Sequence, residues 1–179
     1  HAIFSGSAVF DQANNRIAAI YTGAVKGNQS QYVAFSYDSG NTFVEHQKVL
    51  DLDLDEFRDP KVFRYENHWI MTVVKSKELK VSFFGSTDLI NWEFLSDYTA
   101  PDIKDLYECP DLFELNGKWV LIISTNPGGI YGGSGTRYLI GNFDGKTFKE
   151  DGPAKFIDYG PDNYAGVTFN NASNRITIA

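Results

Sequence analysis

Four stretches of this chain rhyme: SAVFDQANNRIAAIYTG from residue 7, PKVFRYENHWIMTVVK from 60, PDLFELNGKWVLIIST from 110 and AGVTFNNASNRITIA from 165. Each reads as a short apolar strand ending in an aromatic, a polar turn, and a second apolar strand. Between them a second element recurs, as SYDSGNTF (36–43), STDLINWEF (86–94) and NFDGKTF (142–148). In each, an Asp opens a turn, where its carboxylate can accept the following backbone amides, and an aromatic follows. No window carries a helical stripe, so the class is all-β. A repeat of about 50 residues with four short strands per unit is the signature of propeller blades. An ordinary β-sandwich is the rival, but the rhyme spans both strand pairs and favours an incomplete propeller, with three full periods and part of a fourth.

Composition narrows the partners. The net charge is −7, so nothing here could neutralise a run of phosphates or an anionic membrane surface, and nucleic acid and membrane are not expected partners. Aromatics make up 15% of the chain, which suits β-structure and sugar-binding surfaces alike. The single cysteine, Cys109, excludes an internal disulfide and reads as a small buried filler. The sequons at Asn28 and Asn171 give weak support for secretion. The chain begins at an apolar run and stops within RITIA, which reads as a strand, so a piece of a longer protein is expected.

Two rhyming segments carry acids where an apolar strand begins: EFRDPKVFRY (56–65) and LYECPDLFEL (106–115). In a propeller the first strand of each blade lines the central channel, and its entry faces a common pocket. The repeat therefore puts Asp59 and Glu108 on neighbouring blades around one pocket. Two carboxylates in one cleft can divide labour when their surroundings separate their pKa values, as glycoside hydrolysis requires. Glu108, beside Tyr107, Cys109 and Pro110, has the more apolar neighbours and is expected protonated. Asp59, beside Arg58, is expected ionised. The plain alternative is that Asp59 is a turn residue before Pro60 and Glu108 a solvated strand end.

FSGSAV (4–9), FRDPKVF (57–63), YECPDLF (107–113) and DYGPDNYAGVTF (158–169), in this order and spacing, resemble successive motifs of glycoside hydrolase family 32, the invertases, inulinases and other β-fructofuranosidases. The likeness covers essentially the whole chain, and STNPGG (124–129) looks most like the invertase branch. It implies a five-bladed β-propeller and a retaining mechanism on fructosides such as sucrose or a fructan, with no cofactor. By matching motifs, Glu108 would be the general acid/base and Asp59 the transition-state stabiliser. Arg58, Ser7, Phe4, Tyr164 and Asp162 would bind substrate. Residues 1–179 would then be part of one catalytic propeller. The family's nucleophile, an Asp in an NDPNG-type motif of the first blade, has no match here, and the usual C-terminal β-sandwich is missing. The expectation is a secreted parent enzyme, and a fragment inactive alone.

Other signals are weaker. DLDLDE (51–56) starts like a calcium loop but lacks Gly at the sixth position and has Val62 at the twelfth, so it reads as a solvated acidic edge. GGIYGGSGT (128–136) lacks the lysine of a phosphate loop and reads as a flexible segment near the pocket rim. His1, His46 and His68 stand apart, outside any metal or triad spacing. Trp69, Trp92 and Trp119 fall at recurring strand positions and read as core. SYDSGNTF fits the Asp-box of sialidases, but those clamp a carboxylate with several arginines, and this chain has five, with only Arg58 at the pocket. A non-catalytic sugar-binding propeller would share the pocket and need no protonated acid.

Overall fold

Each of the first three repeats closes into one antiparallel meander. The fold is seen in a computed structural model that describes residues 1–169; Asn171 and the end of the fourth rhyme lie outside the described residues. The first sheet runs β1 (Ala2–Asp11), β2 (Arg16–Val25), β3 (Asn28–Ser36), β4 (Val44–Leu54). The second runs β5 (Phe57–Tyr65), β6 (His68–Lys75), β7 (Lys80–Ser86), β8 (Glu93–Tyr98). The third runs β9 (Tyr107–Leu115), β10 (Lys118–Thr125), β11 (Gly135–Phe143), β12 (Phe148–Glu150), and β13 (Lys155–Phe156) also pairs with β11. These sheets are propeller blades, and the all-β expectation stands.

Local chemistry makes the turns. Asn116 and Gly117 join β9 to β10 with φ of 53° and 77°, the double left-handed turn whose twist suits a hairpin. The recurring Asp residues do what their position suggested. Asp38 accepts the Thr42 amide at 2.9 Å, Asp88 the Ile90 and Asn91 amides at 2.8 Å each, and Asp144 the Thr147 amide at 2.6 Å. They are turn clamps, which accounts for the Asp-box resemblance without a sialidase. The acidic run 51–55 ends the edge strand β4 with its carboxylates at the surface.

The cores lie between blades. Val9, Ala18, Ile20, Val33 and Phe35 of the first sheet meet Val62, Trp69, Met71, Val73 and Phe84 of the second. The opposite face of the second sheet, with Phe63, Ile70, Val74 and Phe83, meets Leu112, Leu121, Ile123, Leu139 and Phe143 of the third. Strand β6 is thus covered on both faces, and its near-continuous apolar run WIMTVV follows from that. Trp69 is buried, and Trp92 and Trp119 pack half-buried against these cores.

The inner strands share one irregularity. Between Arg58 and Lys61, and again between Glu108 and Asp111, three steps of the inner strand face two of its partner, which is a β-bulge. Asp59 and Cys109 stand in these bulges with φ of 62° and 46°, and Ala165, outside any strand, has φ of 55°. Each bulge re-aims the residue before it, so Arg58 and Glu108 turn toward one end of the channel, where Tyr164 meets them.

Candidate active site

At that end lies an open cleft of about 520 Å³, lined by Phe4, Ser5, Gln29, Glu56, Arg58, Asp59, Glu108, Cys109, Tyr164 and Ala165. Its volume suits a small ligand such as one sugar ring. Three consecutive inner elements supply its polar centre. Arg58 Nη2 donates to Glu108 Oε1 at 3.1 Å, and the Tyr164 hydroxyl donates to Glu108 Oε2. Arg58 also donates to Glu56, to Gln29 Oε1 at 3.3 Å and to the Ser76 hydroxyl at 3.3 Å. The guanidinium is thereby fixed on every side.

Asp59 is held differently. Its own amide donates to Thr22 Oγ1 at 3.1 Å, and its carboxylate accepts the Cys109 amide at 2.9 Å and the Cys109 thiol at 3.6 Å. Neighbouring blades are thus tied through the bulges, and the tie presents the carboxylate to the cleft. Burial pushes the Asp59 carboxyl above its ordinary value, against the Cys109 amide and Arg58, which favour its charge. The Cys109 thiol is pushed up to about 12, first by burial and then by Asp59 and Glu108, so it stays protonated. It is part of the cleft wall rather than a fully buried filler. Tyr164 is raised, by burial and by its bond to Glu108, and remains a donor.

The surroundings expected of the two acids are exchanged, in burial and in ion pairing. Asp59 has the more buried side chain, at 8% exposure against 19% for Glu108. Arg58 closes on Glu108, while its nearest approach to Asp59 is 4.0 Å. Sequence adjacency misled because successive residues of a strand diverge, whereas the equivalent position on the next blade lies opposite.

The structure brings Phe4, Arg58, Asp59, Glu108 and Tyr164 together. Ser7 stands apart: its hydroxyl donates to the Pro60 carbonyl and accepts the Val62 amide, each at 3.0 Å, and so ties β1 to β5. Ser5 lines the cleft instead, because the irregularity between Ile3 and Gly6 turns Phe4 and Ser5 toward it. Asp162 also lies off the cleft, where it accepts the Ser134 amide at 3.0 Å. The Gly-rich loop expected to be flexible is braced: Gly129 N–H donates to the Gly133 carbonyl at 2.8 Å and Arg137 to the Gly128 carbonyl at 3.0 Å. Asn28 donates to Asp51 Oδ1 at 3.1 Å, so its amide is already engaged. Glu56 and Gln29 were not anticipated. Glu56 sits two residues before Arg58, a signal that could have been read; Gln29 comes from another blade and gave none.

Known proteins share this arrangement of blades. The family model for the glycosyl hydrolases family 32 N-terminal domain matches residues 1–179. An extracellular exo-inulinase of Meyerozyma guilliermondii is 44% identical over 95% of this chain and 38% of its own length. An invertase of Debaryomyces hansenii is 41% identical over 94% of this chain and 36% of its own. The β-fructofuranosidase of Schwanniomyces occidentalis, solved with fructosyl-erythritol, superposes with a TM-score of 0.91 at 41% identity, covering 97% of this chain and 38% of that one. The chain thus spans well under half the length of these relatives. With the whole of its sequence matched by the family and its blades superposing on a solved member, the chain belongs to glycoside hydrolase family 32.

Proposed function

We propose that residues 1–179 carry the acid/base half of a retaining β-fructofuranosidase that hydrolyses sucrose and related β-fructosides. The observation that carries this is the placing of Glu108 and Asp59, from neighbouring blades, on one open cleft with Arg58 between them. Glu108 would protonate the glycosidic oxygen as it leaves, then take a proton from the water that releases fructose. Asp59, deeper and held by the Cys109 amide, would accept fructosyl hydroxyls and stabilise the developing oxocarbenium ion. Its buried setting makes such bonds stronger than they would be in water. The covalent step needs a third carboxylate as nucleophile. By the family resemblance the nucleophile would be the Asp of an NDPNG-type motif on a further blade of a five-bladed parent that also carries a C-terminal β-sandwich; residues 1–179 hold no such motif. Phe4, Arg58 and Tyr164 would complete the fructosyl pocket. The relatives named invertase and extracellular exo-inulinase support a fructoside substrate and a secreted parent.

Fructose release from sucrose and from an inulin-type fructan, measured on the full chain that carries these residues, tests the proposal. Glu108→Gln should lose ~10²–10⁴-fold in rate while staying folded. If the parent hydrolyses no fructoside, or Glu108→Gln is as fast as the parent, the cleft binds sugar without turning it over.

A further inference from the structure

The three inner elements that build the cleft meet again one tier below it. In the upper tier a cation, a carboxylate and a hydroxyl come together as Arg58, Glu108 and Tyr164. Further along the same elements Lys61, Asp111 and Thr168 repeat the set. Lys61 Nζ donates to Asp111 Oδ2 and to the Thr168 carbonyl, each at 2.9 Å. Thr168 donates its amide and its hydroxyl to the same Oδ2, each at 2.8 Å. One carboxylate oxygen thus gathers three donors from the elements on either side of it. Asp111 is 1% exposed, and its other oxygen is buried with no hydrogen-bond partner among the described residues.

Stability alone does not explain this tier. A buried carboxylate with one bare oxygen carries a desolvation cost, and a buried ion pair often gives no more stability than apolar residues of the same size. What the tier does supply is position. Tyr164 belongs to no β-strand. Its two neighbours are anchored on the third blade, the Ala165 amide on Ser124 Oγ at 3.2 Å and the Asn163 carbonyl, which accepts Ser134 Oγ at 3.3 Å and Thr136 Oγ1 at 3.2 Å. Four residues beyond Tyr164, the next anchor is Thr168 on Asp111.

We propose that Asp111, acting through Thr168, is a positioning residue that seats the Tyr164 hydroxyl on Glu108. The inference rests on the acid/base role proposed for Glu108. A misplacement of about 1 Å at a catalytic group can cost on the order of 10²-fold.

The test compares Asp111→Asn, Thr168→Val and Tyr164→Phe in the full chain, with kcat and KM for sucrose measured across pH and folding checked by thermal melting. Asp111→Asn should lower kcat about tenfold or more with little change in KM, and should displace the pH profile of kcat in the same direction as Tyr164→Phe. Adding Asp111→Asn to Tyr164→Phe should cost little more than Tyr164→Phe alone, because both remove one contact. Thr168→Val, which keeps the backbone donor, should fall between wild type and Asp111→Asn. Multiplying losses, or a folded Asp111→Asn with the wild-type profile, overturns the proposal; if Asp111→Asn does not fold, Thr168→Val decides in its place. A second readout needs no turnover: the ¹³C resonance of the Tyr164 ring carbon bearing the hydroxyl, identified by its loss in Tyr164→Phe. It should move in Asp111→Asn and Thr168→Val. If the parent hydrolyses no fructoside, the function proposed above fails, and this resonance alone decides the positioning role: a signal that stays in place overturns it.

Discussion

At the scale of single residues, the cleft is a set of side chains whose partners come from other blades. Asp59 illustrates the consequence for stability. Burial raises its carboxyl pKa in the folded protein above the ordinary 3.8. The folded state therefore holds that proton more tightly than the unfolded chain. The unfavourable ionised form is absent below pH 3.8, and its cost appears as the pH rises through the folded pKa. Asp59→Asn keeps an oxygen for the Cys109 amide and removes the charge. It is expected to raise the melting temperature at pH 7 while abolishing fructose release, and its advantage should vanish below pH 3.8. Melting curves of both proteins across pH check this. The sequence singled out Asp59 and Glu108, because their motifs rhyme. It gave Arg58 to the wrong carboxylate, because the contact between Arg58 and Glu108 spans fifty positions and exists only once the blades pack.

At the scale of elements, each blade is built from local devices that were legible. The Asp turns follow directly from the recurring Asp and aromatic spacing. Asp88 is held at about 2: burial opposes its charge, but the Asn91 and Ile90 amides and the Asn91 and Ser86 side chains outweigh it. A depressed folded pKa gives stability that is present above the unfolded value of 3.8 and is lost as the pH falls toward 2. Asp88→Ala should thus cost about 1 kcal/mol in urea unfolding at pH 7, and clearly less as the pH falls toward 2. Gly117→Ala should also cost about 1 kcal/mol, because the residue must keep a left-handed backbone that a Cβ opposes. The space around a Cβ there is open, so that loss would report the backbone alone. The bulges were not legible. Nothing in RDP or ECP requires a residue at positive φ; the requirement comes from aiming its predecessor into the channel.

At the scale of the whole molecule, stability lies between the blades rather than within them. Phe143 of the third blade packs on Phe83, Trp119 and Tyr65, with ring centroids 5.4, 5.3 and 5.5 Å away, and so joins the second blade to the third. Phe143→Ala should cost about 3–5 kcal/mol in urea unfolding. Because Arg58 and Glu108 sit on the two blades that Phe143 joins, fructose release by the full chain should fall as well, although no cleft residue has changed. Retention of full activity alongside such a loss of stability would show that the blades keep their relation without this cluster.

Fold class, the repeating blade unit and the meeting of Asp59 and Glu108 in one cleft were set by the order of residues along the chain, since strand period, turn chemistry and a repeat are local properties that each segment carries alone. The repeat even fixed which residues take equivalent places around the channel. Tertiary structure decided the rest. It turned Ser7 into a tie between strands and put Ser5 in its place. It buried Asp59 more deeply than Glu108, and set Tyr164 and Arg58 on the Glu108 carboxylate. The physical reason is that charge, burial and hydrogen bonding at the cleft depend on what faces a side chain across the gap between blades. That neighbour is some fifty residues away in sequence, fixed by packing and by bulges that no short motif announces.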